Sequence, residues 1–554
     1  MNTIKNILLS ILSIALLCGW RGVAAQTENP VISAIQKEVD RNKTELQLEG
    51  MSPPFFISYT VVDMYSYNLS ASLGAINSFS EYHNRRGLPR VLVGDYMRNT
   101  AKVAGTRPSV LSTTSLFDNA TGIPITIWRG LDDMYKDAAE RYKAYLATLQ
   151  QQTRTKEEEE LPDFEQVAPI NMVLQPAPLD FNRSYWENYL REASKTAKQY
   201  PEILSSNVTL NARNYMSYTY NTDGSRYAVP YTLYQLIFSA NTRASDGQDL
   251  SHTIWVENAT LAQMPDVATF SNQCKTMMEN LLKLKEAPVM KEAYSGPVLF
   301  EGVAAYNIFR RALLSSNKLY AAPKMISGGN SLMGSSQQNG NDFELMLNKK
   351  VISRSITVKS ITGQDFYKGQ RLNGYYPVDD EGVVPDKELV LIENGVLRNL
   401  LNGRKPTQKT QHSNGHVRYN YSTNSWQVMP GNILIIGNQT FSNEELRRKL
   451  LAAAKEEDLD YAFIVKEYTN IVMIYKVYVT DEREELIRGA IISDDGNLKP
   501  FKRILGVSDN EQMNSFNDIQ STVICPDAVL FEEMDITRNS QIEFKKPYIV
   551  PKPN

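Results

Sequence analysis

The sequence predicts an α+β chain: an N-terminal α/β domain with a mixed sheet and long helices, followed by a strand-rich C-terminal domain. Three observations predict it. Apolar residues recur at helical spacing over residues 126–152, and they alternate in strand fashion over 206–257. From about residue 350 onward the pattern is mostly short apolar runs separated by turn residues, with one helix among them. The 30 tyrosines suit such a chain, because aromatic rings pack well on a pleated surface.

The first 25 residues read as a secretory signal peptide. Lys5 supplies a positive start, residues 7–18 are apolar, and Val23-Ala24-Ala25 is a small-residue exit before Gln26. The apolar run is too short to span a bilayer comfortably, although an uncleaved N-terminal anchor is an alternative. Cys18 does not suit a lipoprotein anchor, since Leu17 before it is larger than such a site usually accepts. The expected destination is the periplasm or the exterior. No later run of about 18 apolar residues offers a transmembrane segment once the leader is removed.

The remaining 529 residues suffice for two or three domains with filled cores, and 42% hydrophobic with 22% charged residues is ordinary for a globular protein. Losing Lys5 and Arg21 leaves 57 basic against 62 acidic residues, a net charge of −5. Nothing in that balance favours a nucleic-acid partner, which selects a basic face.

Residues 31–48 place Ile32, Ile35 and Val39 at helical spacing. After Pro53-Pro54, residues 55–64, 71–82 and 90–95 read as strands. The helix over 126–152 carries Leu131, Met134, Tyr135, Ala138 and Ala139 on one face, and runs into a charged linker at 153–160. A helix over 186–200 precedes the alternating stretch, whose hairpin turn is expected at Asn221-Thr222-Asp223-Gly224. A helix over 271–285 closes the half. Pro288 and Ser295-Gly296-Pro297 mark a boundary. The expected domains are 26–290, with a central helical linker at 126–165, and 291–554. The second opens with a strand at 297–300 and a helix from about 302 to 319. A Gly/Ser/Asn-rich loop covers 327–341. Strands follow at 352–358, 389–392, 432–436, 461–465, 472–479 and 523–531. The helix over 443–454 is introduced by Ser442 and Glu445, a capping box. The tail 545–554 holds three prolines and reads as extended.

Cys274 and Cys525 are the only cysteines after the leader. Two buried free thiols or a disulfide are both open, and no Cys-x-x-Cys pair exists to build a zinc ribbon.

Several motifs in this order carry a resemblance. In the first half they are residues 90–95, the Leu131-Asp132-Asp133-Met134-Tyr135-Lys136 helix, Pro162-Asp163-Phe164, Asn221–Gly224 and Ala244-Ser245-Asp246-Gly247. In the second half they include Pro297-Val298-Leu299-Phe300-Glu301-Gly302, residues 378–383 and 392–397, Ser413-Asn414-Gly415-His416-Val417-Arg418, Met429-Pro430-Gly431 and residues 485–489. Each is weak alone, since Asn-Gly and Asp-Gly are common turns. Their joint order over nearly the whole mature chain resembles the TldD/PmbA metallopeptidase family.

The resemblance implies a zinc peptidase fold. Active members place two histidine ligands and a glutamate base in a His-Glu-x-x-x-His motif on the helix after the Val-Leu-Phe strand, and a third ligand, a cysteine, near the C-terminus. In this sequence Arg310 and Ser315 stand at the histidine positions and Arg311 at the glutamate. Guanidinium has no lone pair for a metal, and two positive charges oppose a dication. The cysteine is expected in residues 509–521, which contain none; Cys525 lies beyond, inside an apolar strand. Zinc is thus the family's cofactor, but its ligands are missing and no cofactor is expected.

Four histidines, His83, His252, His412 and His416, are all that could build another site. His412 and His416 are spaced i, i+4, but Asn414-Gly415 between them favours a turn over a shared helical face. The alternatives are a hydrogen-bonded turn histidine, a metal role, and substrate contact by Asn414, Gly415 and His416, which match a family loop. Asp379-Asp380-Glu381 reads as a β-turn before a calcium cluster.

The expectation is a non-catalytic homologue that shapes a chamber for peptide or unfolded polypeptide. It would do so as a homodimer or with a zinc-bearing TldD-like subunit, the peptide adding as a strand to a sheet edge in the second domain. The alternatives are an active exported peptidase with a non-standard metal site, built on His412 and His416, or a secreted binding or scaffold protein.

Overall fold

The computed structural model describes residues 29–540, apart from 104–110, 113–121, 176–178, 180, 316–317, 327–341, 421–422, 424, 494–495 and 516–520. The leader, the loop at 327–341 and the tail at 545–554 lie outside the described residues. Helix α1 (Pro30–Glu45) starts where the Asn29 side chain accepts the Val31 and Ile32 N–H groups, with Pro30 in the first turn.

Strands β1 (Pro54–Ser72) and β2 (Ala75–Val93) form one hairpin of two 19-residue arms. Sequence patterning breaks this hairpin into three shorter strands, because residues 65–70 and 83–89 are too polar to announce themselves. The structure holds them extended because β1 is paired on both edges, to β2 and to β3 (Ser205–Asn221). The connecting turn is Leu73-Gly74, both at positive φ (50° and 81°), as a two-residue hairpin turn requires. Leucine rarely signals such a turn.

Helix α2 (Gly122–Gln151) leads through a short acidic helix (Lys156–Glu160) and α3 (Arg183–Lys195) to β3, β4 (Arg226–Arg243) and β5 (Asp249–Asn258). Helix α4 (Val267–Glu286) follows. The strands make a seven-stranded sheet in which β4 carries two neighbours on one edge. Asn171–Val173 runs parallel to residues 226–228, and β5 runs antiparallel to residues 234–243. Four helices cover one face. Ile127, Leu131 and Tyr135 pack with Ile32 and Ile35 on Ile57 and Tyr59, while Trp186, Leu190, Phe270 and Leu281 pack on Leu69, Leu210 and Leu236. The opposite face presents Val62 and Tyr215 to Tyr419 and Trp426 of the second half.

The second half opens with β6 (Tyr294–Glu301) and α5 (Val303–Leu314). Then come β7 (Ile356–Ser360), β8 (Asn432–Gly437), α6 (Asn443–Glu456), β9 (Tyr461–Tyr468), β10 (Val472–Tyr478), β11 (Thr522–Pro526) and β12 (Ala528–Arg538). An eight-stranded sheet contains β12, β6, β9 and β10 in that spatial order, and a six-stranded sheet contains β7, β8 and β11. Helix α5 is buried among side chains of both sheets: Ile308, Phe309 and Leu313 share a core with Phe300, Val358, Ile435, Val523 and Phe531. Helix α6 covers the other face of the larger sheet through Leu446 and Leu450, and its capping box pairs Ser442 with Glu445.

Buried ion pairs join the halves. The Arg404 guanidinium is wholly buried, donates to the Asp223 carboxylate at 2.6 Å and the Glu165 carbonyl at 2.8 Å, and lies over the Phe164 ring at 4.2 Å. Arg90 meets Glu381 at 2.6 Å. Burial pushes the Glu381 carboxyl up, but Arg90 and Arg404 prevail and hold it below its usual range.

Candidate functional site

Gly302 turns the chain from β6 into α5. Its φ of 56° lies in the left-handed region, and its N–H donates to the Asp527 carbonyl at 2.7 Å. Along α5, Val303, Tyr306, Asn307, Arg310, Arg311 and Leu314 recur three and four apart, on one face. That face lines a cleft of about 1020 Å³ whose far wall is residues 252–258 of β5. Gln370, Arg371, Asn373 and residues 513–515 line it further, as do Glu467, Thr469 and Asn470.

Both arginines are held in place. Arg310 Nε donates to the Asn307 side-chain oxygen at 3.2 Å. Arg311 donates to the Thr469 carbonyl at 3.1 Å and lies 4.4 Å over the Tyr468 ring. Ser315 is placed differently from the sequence expectation. The expected helix continues to residue 319, but α5 stops at Leu314, and Ser315 caps it with extended backbone (φ −70°, ψ 156°). The run Ser315-Ser316-Asn317 is a poor continuation, because short polar side chains compete with the helix for backbone bonds. Ser315 does not line the cleft.

At one end of the cleft His252 and Glu467 meet across the junction of the halves. His252 is buried, its Nδ1 lies 3.3 Å from the Asn470 side-chain oxygen, and its Nε2 lies 3.6 Å from Glu467. That last separation is too long for a hydrogen bond. Burial lowers the His252 pKa, against the Asn470 contact, and pushes the Glu467 carboxyl up to about 7. One Glu467 oxygen is buried without a hydrogen-bond partner. Both shifts disfavour the charged forms of the pair.

The loop that carries Asn414, Gly415 and His416 is locked. His416 is wholly buried, and its ring bonds the Asn414 side-chain oxygen through Nδ1 (2.9 Å) and the Ser360 hydroxyl through Nε2 (2.9 Å). Burial pushes its pKa down to about 4, so it stays neutral. Asn414 accepts the Asn402 N–H at 2.7 Å and donates to the Leu400 carbonyl at 2.8 Å. Gly415 has a φ of 75°, and a Cβ there would meet the Pro385 backbone at 2.8 Å. His412 points elsewhere, exposed, with Nδ1 2.8 Å from Glu165. The two histidines do not converge. Asp379 likewise closes a turn, accepting the Glu381, Val383 and Val417 N–H groups.

The cleft's donor set does not fit zinc. Guanidinium offers no lone pair, and His252 with Glu467 is a single pair. Among the described residues no three His, Cys, Asp or Glu side chains lie close enough to hold a metal ion. Cys525 on β11 is buried in the apolar core with its thiol pushed up by that burial, and Cys274 on α4 is buried too; both are free.

The outer edge of β5 is the feature that sequence patterning does not reveal. On its inner edge β5 pairs with β4, His252 opposite Ala240 and Ile254 opposite Phe238. On its outer edge the Ser251 carbonyl accepts from Asn470 (2.8 Å) and the Glu257 carbonyl from Asn373 (3.1 Å). Backbone groups alternate in direction along an antiparallel edge, so Thr253 and Trp255 also point their N–H and C=O outward, between the two asparagines. Among the described residues no strand pairs on this side. Alternation over 249–258 announces the strand, but pairing partners, and hence edges, are set by the rest of the fold.

Comparison with known proteins agrees with this architecture. Residues 297–538 match the family model for the PmbA/TldA metallopeptidase C-terminal domain. No curated protein matches the chain. Among solved structures, a proposed modulator of DNA gyrase from Thermotoga maritima aligns with a TM-score of 0.56 at 14% identity, covering 91% of this chain and 100% of its own. TldE from Thermococcus kodakarensis aligns with a TM-score of 0.56 at 12% identity, covering 91% and 99%. A proposed modulator of DNA gyrase from Bacteroides thetaiotaomicron gives 0.55 at 11%, covering 91% and 98%. At these identities the structures share the fold.

Proposed function

We propose that this chain, whose residues 297–538 match the PmbA/TldA metallopeptidase C-terminal domain, is an exported, non-catalytic homologue of the TldD/PmbA metallopeptidases that holds an extended peptide in the cleft between α5 and β5. The peptide adds as a strand to the outer edge of β5, in the first half of the chain and not at the second-domain edge that the sequence suggests, bonding the backbone of Thr253 and Trp255. Backbone recognition of this kind is tolerant of sequence, which suits unfolded polypeptide. The chamber is completed by a second copy or by a zinc-bearing TldD-like subunit, which would carry out any cleavage.

The observation that carries this reading is the facing of two surfaces across one cleft. On one side stands the helix that carries Arg310 at a position the family gives to a histidine ligand and Arg311 at that of the glutamate base; on the other stands a sheet edge with outward backbone groups. Positive charge at the centre of the cleft opposes a dication and does not obstruct a neutral peptide backbone.

Thr253→Pro tests the reading. The Thr253 N–H points away from β4, so proline there leaves the ladder bonds of the sheet intact while removing a donor that an added strand needs. Isothermal titration of a capped, unstructured peptide into the mature protein should show binding by the wild type and at least about ten-fold weaker binding by the variant. Cleavage of that peptide by the purified wild type alone would overturn the non-catalytic reading, and equal binding by the variant would remove the β5 edge from it.

A further inference from the structure

We propose that a second cavity, behind the cleft, is a subsite that selects an aromatic side chain of the bound peptide; this rests on the reading of the cleft as a peptide site. The cavity measures about 500 Å³, within the range of roughly 300–1,000 Å³ typical of small-ligand pockets. It opens where the outer edge of β4 is uncovered, between the stretch paired to Asn171–Val173 and the stretch paired to β5. Pro230 falls in that gap, where its missing N–H costs the sheet nothing.

Tyrosine dominates the walls. Tyr215 and Tyr231 stand opposite one another on β3 and β4 with ring centroids 6.2 Å apart, and Tyr375, Tyr376 and Tyr419 close the cavity from the second half. The charged groups present are compensated. Arg418 lies 4.4 Å over the Tyr376 ring and 3.5 Å from Asp380, and Arg371 meets Asp365 at 3.0 Å. Such walls offer ring faces and edges at aromatic contact distances together with hydroxyl groups, and no net charge to recognise an acid or a base.

The cavity continues the cleft. Arg371 and Asn373 line both. Asn373 donates to the Glu257 carbonyl at one end of the open β5 edge and accepts the Ala259 N–H at 3.1 Å just beyond it. A chain laid along β5 therefore passes Asn373 and reaches the mouth of the cavity, where one side chain can leave the strand and enter. Backbone pairing fixes no register, so a peptide slides until its best residue sits there. The cavity thereby gives a sequence-tolerant edge a preference for one aromatic residue.

The test uses the mature full chain and four capped Ser/Thr octapeptides that differ only at the fourth position, Tyr, Phe, Leu or Ala. The Tyr and Phe peptides should bind about ten-fold or more tighter than the Ala peptide. Val229→Trp, on the cavity wall of β4, fills the space and should abolish that difference while leaving the Ala peptide's affinity unchanged. Equal affinity of all four for the wild type overturns the aromatic subsite and leaves the edge reading standing. No binding of any of them removes both. A preference that survives Val229→Trp, with the Ala peptide still bound, places selection elsewhere and also overturns the proposal.

Discussion

Glu467 is the side chain whose protonation the fold controls most directly at the cleft. Burial pushes it up to about 7, so the folded protein favours the neutral acid, whereas the unfolded chain ionises in the ordinary carboxylate range. Its contribution to stability is therefore fully present below that range and is lost as pH rises through about 7. Asp379, pushed up to about 7 by burial and then by Glu381, acts in the same direction. His252 and His416 act oppositely, because their lowered values favour neutral rings and lose stability as pH falls below the ordinary imidazole range. Glu467→Gln keeps the shape and removes the titration. Thermal or urea unfolding should find it close to wild type near pH 4.5 and more stable by roughly 2–3 kcal/mol at pH 8. Equal stability of the two proteins across that span would show that Glu467 is ionised without penalty. At the same scale, Arg310 and Arg311 set the sign of the cleft, and each has a stated anchor, Asn307 and the Thr469 carbonyl, so the charge is fixed in place.

At the scale of elements, the end of α5 decides how far the family's zinc motif can be restored. The variant Arg310→His, Arg311→Glu, Ser315→His supplies the residue types, yet position 315 lies past the last helical turn in extended backbone and outside the cleft lining. No cysteine stands in residues 509–521 to complete the set. Zinc catalysis needs about three protein ligands with one open position. The triple variant, assayed on casein with added zinc, should remain inactive; robust cleavage would mean that a third ligand is at hand. The β5 edge belongs to this scale too. Its two asparagine clamps come from the second half of the chain, so the first half builds the edge and the second half frames it.

At the scale of the whole molecule, the halves are locked by buried charge. Arg404 reaches Asp223, the Glu165 carbonyl and the Phe164 ring at once, and Arg90 reaches Glu381 across the same junction. Arg404→Ala leaves Asp223 buried without its cation. It should cost about 3–5 kcal/mol in urea unfolding, and it should expose the junction to limited proteolysis first. Unchanged stability would show that the junction does not depend on the pair. The proposed chamber also requires a second subunit. A closed homo-oligomer is most simply a two-fold dimer, burying upward of roughly 1,000 Å². Light scattering at micromolar concentration, alone and with an exported zinc-bearing relative, should give a mass above that of one chain in at least one sample. A monomer in both would remove the chamber and favour a solitary binding protein.

Local physics made much of this legible in the sequence. The helices at 122–151 and 267–286 follow from apolar spacing, the α6 start from Ser442 and Glu445, and the turn at residues 221–224 from Asn and Gly chemistry. The arginines at 310 and 311 were visible as residues that cannot bind metal, because that is a property of guanidinium itself. What the sequence could not announce depends on neighbours distant in the chain. The polar middle of β1 stays extended because β3 pairs with it. His416, one of the substrate-contact candidates, lies sealed against Ser360, while His252 and Glu467, more than 200 residues apart, meet at the cleft. Periodicity records which face of an element is apolar. Only the tertiary structure decides which edge remains unpaired and which side chains share one space, because those follow from long-range pairing that no local pattern encodes.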